Sequence, residues 1–286
     1  MQPFVNTWKI RWIIPALILV LASCSDKKPD ITDPAEAWSF VVFSDIQQGY
    51  GVYRQLAKNI GDLSPLPVLA VCCGDLMLRP NNEAEWVTFK NYSEPITSRM
   101  PLMIIRGNHE GNDPVSEQFL REMWDFPPDC FYYSVRKEDA LFIILDTQIN
   151  GEERGILNQQ LAWLEDRLDS ASSDQGIQAI FIFIHQPLYP QGLHKGNDLV
   201  NADELHLLFL AHPRIRAVFS GHDHFFNCFQ KDGIPYITTG GGGGDLFHGA
   251  GGDYFHFVKV SYNMDRLKFT LKTVDLFNEI IDSFDL

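Results

Sequence analysis

Five short apolar runs in the chain each end at a residue that can bind a metal ion. The runs are rich in β-branched and aromatic residues and are bounded by Gly, Pro or Asp, which is typical of buried strands. They end at Asp45, Asp75, Asn108, His185 and His222. In open α/β sheets the ligand crevice lies outside the carboxyl ends of the strands, so residues far apart in sequence can converge on one pocket. The pattern predicts a site for two metal ions.

The segments between these runs alternate between helical and strand patterns. Helices are predicted at residues 53–63, 83–92, 115–124, 158–168 and 202–210, and a β-hairpin is predicted to turn at 136–140. Beyond Phe225 apolar and polar residues alternate, with turns at 231–233 and 263–265, as in an antiparallel sheet. The economical arrangement is a four-layer α/β/β/α sandwich of two mixed β-sheets packed face to face, with the helices outside.

The first 24 residues have the pattern of an export signal. Lys9 and Arg11 precede an apolar stretch at 12–22 that is too short to span a bilayer as a permanent helix. The ending Leu-Ala-Ser-Cys resembles the bacterial lipobox, whose cysteine becomes the first mature residue and carries lipid. The alternative is an ordinary signal peptide, or an uncleaved anchor, in which Cys24 is incidental.

The lipobox resemblance predicts three parts of the chain and a location. Residues 1–23 are expected to be the signal peptide, 24–36 a polar tether with lipid on Cys24, and 37–286 a single folded domain. The expected product is an exported lipoprotein anchored in a membrane, with the outer membrane, its periplasmic face and the cell surface left open.

The acidic balance of the chain restricts its partners. The formal net charge is −14 at pH 7. Such a charge repels nucleic-acid backbones, so a small phosphorylated substrate fits better than DNA or RNA.

Two short motifs concentrate the candidate chemistry, Gly-Asn-His-Glu at 107–110 and Gly-His-Asp-His at 221–224. A His-x-His pair on a turn just past a strand can point both imidazoles at one cavity. A single histidine is as often an ordinary core or surface residue. The ordered set of strand-end residues is what indicates a metal site.

The set resembles the motifs of the calcineurin-like metallophosphoesterases. These motifs are Asp-x-His, Gly-Asp-x-x-Asp, Gly-Asn-His-Glu or Asp, a lone His, and Gly-His-x-His, and the resemblance extends over about residues 37 to 275. It implies the sandwich fold and hydrolysis of a phosphomonoester or phosphodiester by a metal-activated hydroxide. A non-catalytic surface lipoprotein that binds a metal and a phosphorylated ligand is the alternative.

The resemblance also implies a role for each matching residue. Asp75 would bridge both metals, and His109 would protonate the leaving group, with Glu110 or Asp113 orienting its ring. The ligands completing one metal would be Asp45, Gln47 and His224, and those completing the other Asn108, His185 and His222. Imidazole, amide and carboxylate ligands suit Mn, Fe or Zn. Two such ions about 3.5 to 4 Å apart can activate a shared water and hold the phosphate oxygens.

Two residues depart from the family pattern. Gln47 stands where the family usually has a histidine, so the first metal is expected to bind less tightly or to be an oxygen-preferring ion such as Mn. Leu78 stands where the family has a second Asp, or the Tyr of purple acid phosphatases. The combination is most similar to the calcineurin-like phosphoesterase domain-containing protein of eukaryotes.

Three further features are candidates for the surroundings of the site. The glycine run at 240–244 is expected to form a tight turn lining the pocket. His194 and His248 lie in loops from which they can reach a substrate, although free surface histidines are the commoner case.

Overall fold

The computed structural model describes residues 35–248 and 251–286. The predicted signal peptide, Cys24 and the predicted tether as far as residue 34 lie outside the described residues. The first strand begins at Glu36, whose carboxylate is 2.7 Å from the ammonium group of Lys259, and both side chains are buried. This strand therefore includes Glu36, which the sequence predicts to be the end of the tether. No described helix is long and apolar enough to cross a membrane.

Twelve strands and five α-helices make up the described part of the chain. The strands are β1 Glu36–Phe43, β2 Ala70–Cys72, β3 Leu102–Ile104, β4 Tyr133–Lys137, β5 Ala140–Ile144, β6 Ala179–Phe183, β7 Ile215–Ser220, β8 Phe226–Lys231, β9 Ile234–Thr239, β10 His256–Asn263, β11 Lys268–Asp275 and β12 Ile280–Asp285. The helices are α1 Tyr50–Gly61, α2 Glu83–Thr97, α3 Pro114–Met123, α4 Asn158–Ser173 and α5 Ala202–Leu210, with a 3₁₀ turn at Asn108–Glu110.

The strands form two six-stranded mixed sheets. The first has the order β12-β11-β10-β1-β2-β3, and the second has the order β4-β5-β6-β7-β9-β8. Strands β1, β2 and β3 are parallel in the first sheet, and β5, β6, β7 and β9 are parallel in the second. The parallel strands place their carboxyl ends along one edge of the sandwich, which is where the predicted ligands follow.

Strand β1 shows why the apolar runs are continuous. Phe40 and Val42 face the second sheet and pack with aromatic side chains of β5, β6 and β7. Val41 and Phe43 face the other way and pack against α1 and α2. A strand covered on both faces has no polar side, and this gives the unbroken apolar pattern.

Helices cover the outer face of both sheets. Helices α1, α2 and α3 pack on the first sheet, and α4 and α5 pack on the second. The predicted four-layer sandwich of two mixed sheets is therefore confirmed.

The chain beyond Phe225 differs from the expected antiparallel sheet. Strands β8 and β9 form a hairpin in the second sheet, where β9 also pairs in parallel with β7. Strands β10, β11 and β12 form the antiparallel part of the first sheet. The segment after β9 carries the chain from one sheet to the other, and this change of layer leaves no mark in the alternation of residues.

Candidate metal centre

The strand-end residues of both sheets meet at one edge of the sandwich. Asp45, Asp75 and Asn108 follow β1, β2 and β3 of the first sheet, and His185 follows β6 of the second. His222 and His224 follow β7. The structure thus brings together the ligands contributed by five strands.

Sharp backbone turns aim several of these side chains. Asp45, Asp75 and His222 have φ values of 62°, 54° and 69°, in the left-handed region that residues other than glycine seldom adopt. Such conformations cluster at functional sites, where the surrounding structure maintains them. The strain here turns each side chain back toward the centre immediately after its strand.

Glycines before the ligands are needed for space. A Cβ on Gly107 would lie 2.2 Å from Oδ1 of Asp75, and one on Gly221 would lie 2.1 Å from Oγ of Ser44. Gly107 itself has a φ of −95°, which any residue can adopt. Close approach of the ligand turns, rather than a sharp bend, explains the glycine at this position.

Two groups of side chains have the geometry of metal sites and share Asp75. One contains Asp45, Asp75 and His224, and the other contains Asp75, His185 and His222; in each, the potential ligand atoms lie within 4.8 Å of one another. We call them the first and the second position.

The second position is closely constrained. Nδ1 of His185 donates to the carbonyl oxygen of Cys73 at 2.7 Å, which leaves Nε2 facing the centre. That Nε2 is 3.4 Å from Oδ1 of Asp75 and 3.0 Å from Oδ1 of Asn108. The ring of His222 lies 5.1 Å from that of His185, so both imidazoles adjoin the same point.

The first position contains the unusual Gln47. Nδ1 of His224 donates to the carbonyl oxygen of Asp245 at 2.8 Å, and its Nε2 is 3.5 Å from Oδ1 of Asp45. The amide nitrogen of Gln47 is 3.3 Å from Oδ2 of Asp75 and 3.2 Å from Nε2 of His224. The amide oxygen reaches the centre only after a half-turn of the terminal amide, which gives up both contacts.

The charges of the site fit two cations. Asp45 and Asp75 are 0% and 1% exposed. Within the described residues their neighbours include imidazoles, the Gln47 amide, the Ser44 hydroxyl and backbone N–H groups, and neither carboxylate pairs with a Lys or Arg. Buried carboxylates destabilise a fold unless positive charge compensates them. Two divalent ions would supply that charge through the ligands described above.

The surroundings of the site strongly shift the pKa values of two of its histidines. Burial, reinforced by the neighbouring His185 and His194, lowers the pKa of His222 to about 2, so this imidazole is neutral and able to ligate. Burial also disfavours charge on His224, but its hydrogen bond to Asp45 outweighs this and raises the pKa to about 9. The raised pKa of His224 thus reflects the close approach of its imidazole to the carboxylate of Asp45.

The sequence profile of the calcineurin-like phosphoesterase family matches residues 39–226, a range that includes every one of these ligands. The chain belongs to this family. Membership, together with the two ligand groups sharing Asp75, indicates a centre of two divalent metal ions.

Individual relatives agree with this assignment. The serine/threonine-protein phosphatase CPPED1 of Mus musculus is 30% identical over 183 residues, which are 60% of this chain and 58% of that protein. Purple acid phosphatase 23 of Arabidopsis thaliana is 25% identical over 210 residues, 67% of this chain and 44% of that protein. The chain therefore spans less than two thirds of the length of either relative.

Solved structures support the fold. A purple acid phosphatase from yellow lupin, Lupinus luteus, superposes with a TM-score of 0.71 at 19% identity, covering 90% of this chain and 55% of that one. A dimetal phosphatase from Danio rerio superposes with a TM-score of 0.67 at 16% identity, covering 87% and 98%. Both share the phosphoesterase sandwich.

His109 stands at the edge of the metal centre. Its Nδ1 donates to the carbonyl oxygen of Leu78 at 2.7 Å, and its Nε2 lies 3.9 Å from Oδ2 of Asp75. The side chain is 32% exposed and lines the cavity over the metal positions. The backbone of Leu78 therefore orients the ring, although its side chain departs from the family pattern.

The expectation that Glu110 or Asp113 orients His109 is wrong. The carboxylate of Glu110 accepts hydrogen bonds from the backbone N–H groups of Asp75, Leu76 and Gly107 at 2.7 to 2.9 Å. Asp113 caps α3 by accepting from the N–H groups of its first turn. Burial, together with the charge of Asp75, raises the pKa of Glu110 to about 7. Glu110 joins the two ligand turns to each other and does not contact the reacting side of the site.

Two of the ligand imidazoles are each stacked against another ring. His194 stacks on His222 with ring centroids 4.1 Å apart, and its Nδ1 is 2.7 Å from the buried carboxylate of Asp223. Phe247 stacks on His224 at 4.6 Å. Both line a cavity of about 290 Å³ over the metal positions. His248 is not among the residues that line it and contacts Asp253 at 2.9 Å. The sequence indicated His194 only weakly and contained no signal for Phe247.

The glycine run between β9 and β10 packs against the first position. Gly242 and Gly244 donate to the carbonyl oxygens of Ser44 and Asp45 at 2.8 and 2.7 Å. A Cβ on Gly49, at the start of α1, would lie 1.8 Å from the carbonyl oxygen of Gly243. The run therefore supports the turn that carries Asp45, and the described lining of the cavity over the metal positions contains none of its glycines.

Proposed function

We propose that this family member hydrolyses the ester of a small phosphorylated substrate at a centre of two divalent metal ions. The observation that carries the proposal is the pair of ligand groups that share Asp75, with the exposed Nε2 of His109 beside them. The phosphatases among its relatives support the same reaction class.

Each group of the site has a task in this proposal. When bound, the two ions supply the charge that holds the phosphate oxygens and the acidity that makes a water molecule a nucleophile. Because Nδ1 of His109 is held by the Leu78 carbonyl oxygen, Nε2 carries the transferable proton toward the cavity. A protonated His109 then donates to the departing oxygen, which leaves poorly as an alkoxide. Glu110 keeps the turns that bear Asp75 and Asn108 in register.

The donor set suggests which ions are bound. Three imidazoles, two carboxylates and two amides suit Mn, Fe or Zn. The amide of Gln47 in place of an imidazole favours Mn at the first position. Asn108, His185 and His222 give the second position a set suited to Fe or Zn.

Activity and metal content should be measured together on the purified full-length chain in detergent. After chelation, the chain is reloaded with Mn, Fe or Zn and assayed with p-nitrophenyl phosphate and bis-p-nitrophenyl phosphate. About two ions per chain with metal-dependent turnover supports the proposal and shows which ester is preferred. One ion without turnover favours the non-catalytic surface lipoprotein.

The proposed location is a bacterial membrane, to which lipid on Cys24 would attach the chain. Its support is the sequence of residues 1–24. The test is to express the wild-type and Cys24→Ser chains in bacteria grown with labelled palmitate and to measure the label on each chain. Label in the wild type that is lost in the variant supports lipidation, and equal label in both contradicts it.

A further inference from the structure

A second cavity opens beside the metal centre. Its volume is about 330 Å³, and it shares Asn108, His194 and His222 with the cavity over the metal positions. A substrate whose phosphate lies at the metals can therefore extend past Asn108 and His222 into this space. We call it the side cavity.

The side cavity is chemically unlike the rest of the protein. The chain has a formal net charge of −14, yet no Asp or Glu among the described residues lines the side cavity. Its own lining consists of Arg154, two amides, Gln186 and Asn197, and two prolines. Because the side chain of Gln186 accepts from Nε2 of Gln148 at 3.2 Å, its own amide nitrogen is available as a donor. Such a lining attracts negative charge.

Arg154 is fixed at the side cavity by its backbone. Its N–H donates to the carbonyl oxygen of Thr147 at 2.9 Å, and its own carbonyl oxygen accepts from Val200 at 2.8 Å. Its φ of 61° marks a turn maintained by these contacts. The side chain is held as well, since Nη2 donates to the carbonyl oxygen of Asp198 at 2.8 Å.

No ion pair neutralises the charge of Arg154 in the part of the chain that the structure describes. Among the described residues no carboxylate lies within salt-bridge distance of its guanidinium group, and the contact through Nη2 is to a neutral carbonyl. Arg106 and Arg136, by contrast, pair with Asp146 and Asp174. A guanidinium with free donors and an uncompensated charge is suited to bind a carboxylate or phosphate through two hydrogen bonds.

We propose that the side cavity binds a second anionic group on the substrate, a carboxylate or a further phosphate, and that Arg154 is the residue that selects for it. The inference rests on the proposed function, because the first phosphate must occupy the metal centre. The favoured substrates are then small phosphate esters with two separate negative groups, in preference to esters of neutral alcohols.

A matched pair of substrates tests this selectivity on the full-length chain. 3-Phosphoglycerate and glycerol 3-phosphate differ by a carboxylate in place of a hydroxymethyl group. The wild type should have a kcat/KM at least about tenfold higher for 3-phosphoglycerate, as a charge-assisted hydrogen bond provides. Arg154→Gln should remove that preference, with a loss of about 10- to 100-fold for 3-phosphoglycerate. For p-nitrophenyl phosphate the change should be less than about twofold, and Arg154→Lys should keep part of the preference.

Arg216→Gln is the matched control. Arg216 is exposed near the start of β7, whereas His222 follows the end of that strand. Its replacement should change neither substrate. Wild-type enzyme that hydrolyses p-nitrophenyl phosphate but shows no preference within the pair, or accepts neither member, would overturn the inference. So would an Arg154→Gln variant that loses all three activities equally. Absence of metal-dependent turnover of any ester by the wild type would instead count against the proposed function.

Discussion

The two metal positions share Asp75 but are held in different ways. At the second position the imidazole of His185 is fully buried and held by a backbone carbonyl, with the oxygen of Asn108 directed at it. At the first position Gln47 presents an amide nitrogen to Asp75 and His224 and must turn before its oxygen can ligate. The second position is therefore prepared for its ion, whereas we expect the first to rearrange on binding. Affinity should differ accordingly, because preorganised ligands lose less freedom.

The largest effect is expected from Asp75→Asn, which removes the residue common to both positions. The shape is retained but the bridging charge is lost, so we expect both ions to be lost and turnover to fall on the order of 10³-fold or more. Elemental analysis and p-nitrophenyl phosphate turnover measure the two effects. Retention of a full second ion would show that the two positions are less coupled than their shared ligand indicates.

His109→Gln should affect the reaction without affecting either metal position. For an alkyl phosphate we expect a loss of about 100-fold or more, since the leaving alkoxide needs a proton. The loss should be smaller for p-nitrophenyl phosphate, whose leaving group departs without one. Two ions per chain should remain. His248→Gln, at an exposed histidine outside the site, is the control. Equal losses on both esters would argue against His109 as the acid.

Gly49→Ala should disturb the first position and leave the second intact. The added Cβ would meet the Gly243 carbonyl oxygen at 1.8 Å, so the glycine run or the start of α1 must shift. We expect the free energy of unfolding to fall by about 2 kcal/mol, together with weaker binding of one ion.

Gly51→Ala is the control for this substitution, because its Cβ would meet nothing within 4 Å. It lies inside α1, where alanine favours the helix by up to about 1 kcal/mol. Urea unfolding with and without metal measures both variants. A loss of stability without any change in metal binding would separate the glycine contact from the site.

The smallest effect is expected from Gln47→His, which restores the residue usual in the family. An imidazole at this place should tighten binding of the first ion about tenfold and shift its preference from Mn toward Zn. Gln48→His, at the exposed neighbouring residue, should change nothing. Metal titration followed by calorimetry provides the measurement. Unchanged affinity in the Gln47→His chain would mean that Gln47 does not limit the first position.

The sequence predicted the sandwich and the meeting of the ligands because both depend on regular patterns. Doubly buried strands leave continuous apolar runs, and ligands at their carboxyl ends must meet once the strands are parallel. Strand β12 was not predicted, because it is largely exposed and has no continuous apolar run. The roles of Glu110 and Phe247 could not be predicted from the sequence for another reason. Glu110 binds backbone groups, and Phe247 stacks on a ring distant in sequence. Neither contact produces a repeating pattern of residues in the sequence.

The same limit applies to backbone partners. The carbonyl oxygens of Leu78, Cys73 and Asp245 orient His109, His185 and His224, and any residue type could supply them. At position 78 the sequence therefore shows only that the side chain is a leucine. Only the three-dimensional structure shows that its main chain holds the proton donor.

The division of the ligands between the two sheets determines at which stage of folding the site can form. Asp45 and the turn at His222, which donates its N–H to that carboxylate at 3.0 to 3.1 Å, are 177 positions apart in the chain. Neither sheet alone contains a complete ligand set for either position. Both ligand sets are therefore completed only when the last third of the chain, which carries His222 and His224, has docked. We therefore expect complete metal binding to come late in folding. The bound ions would then link the two sheets at this edge.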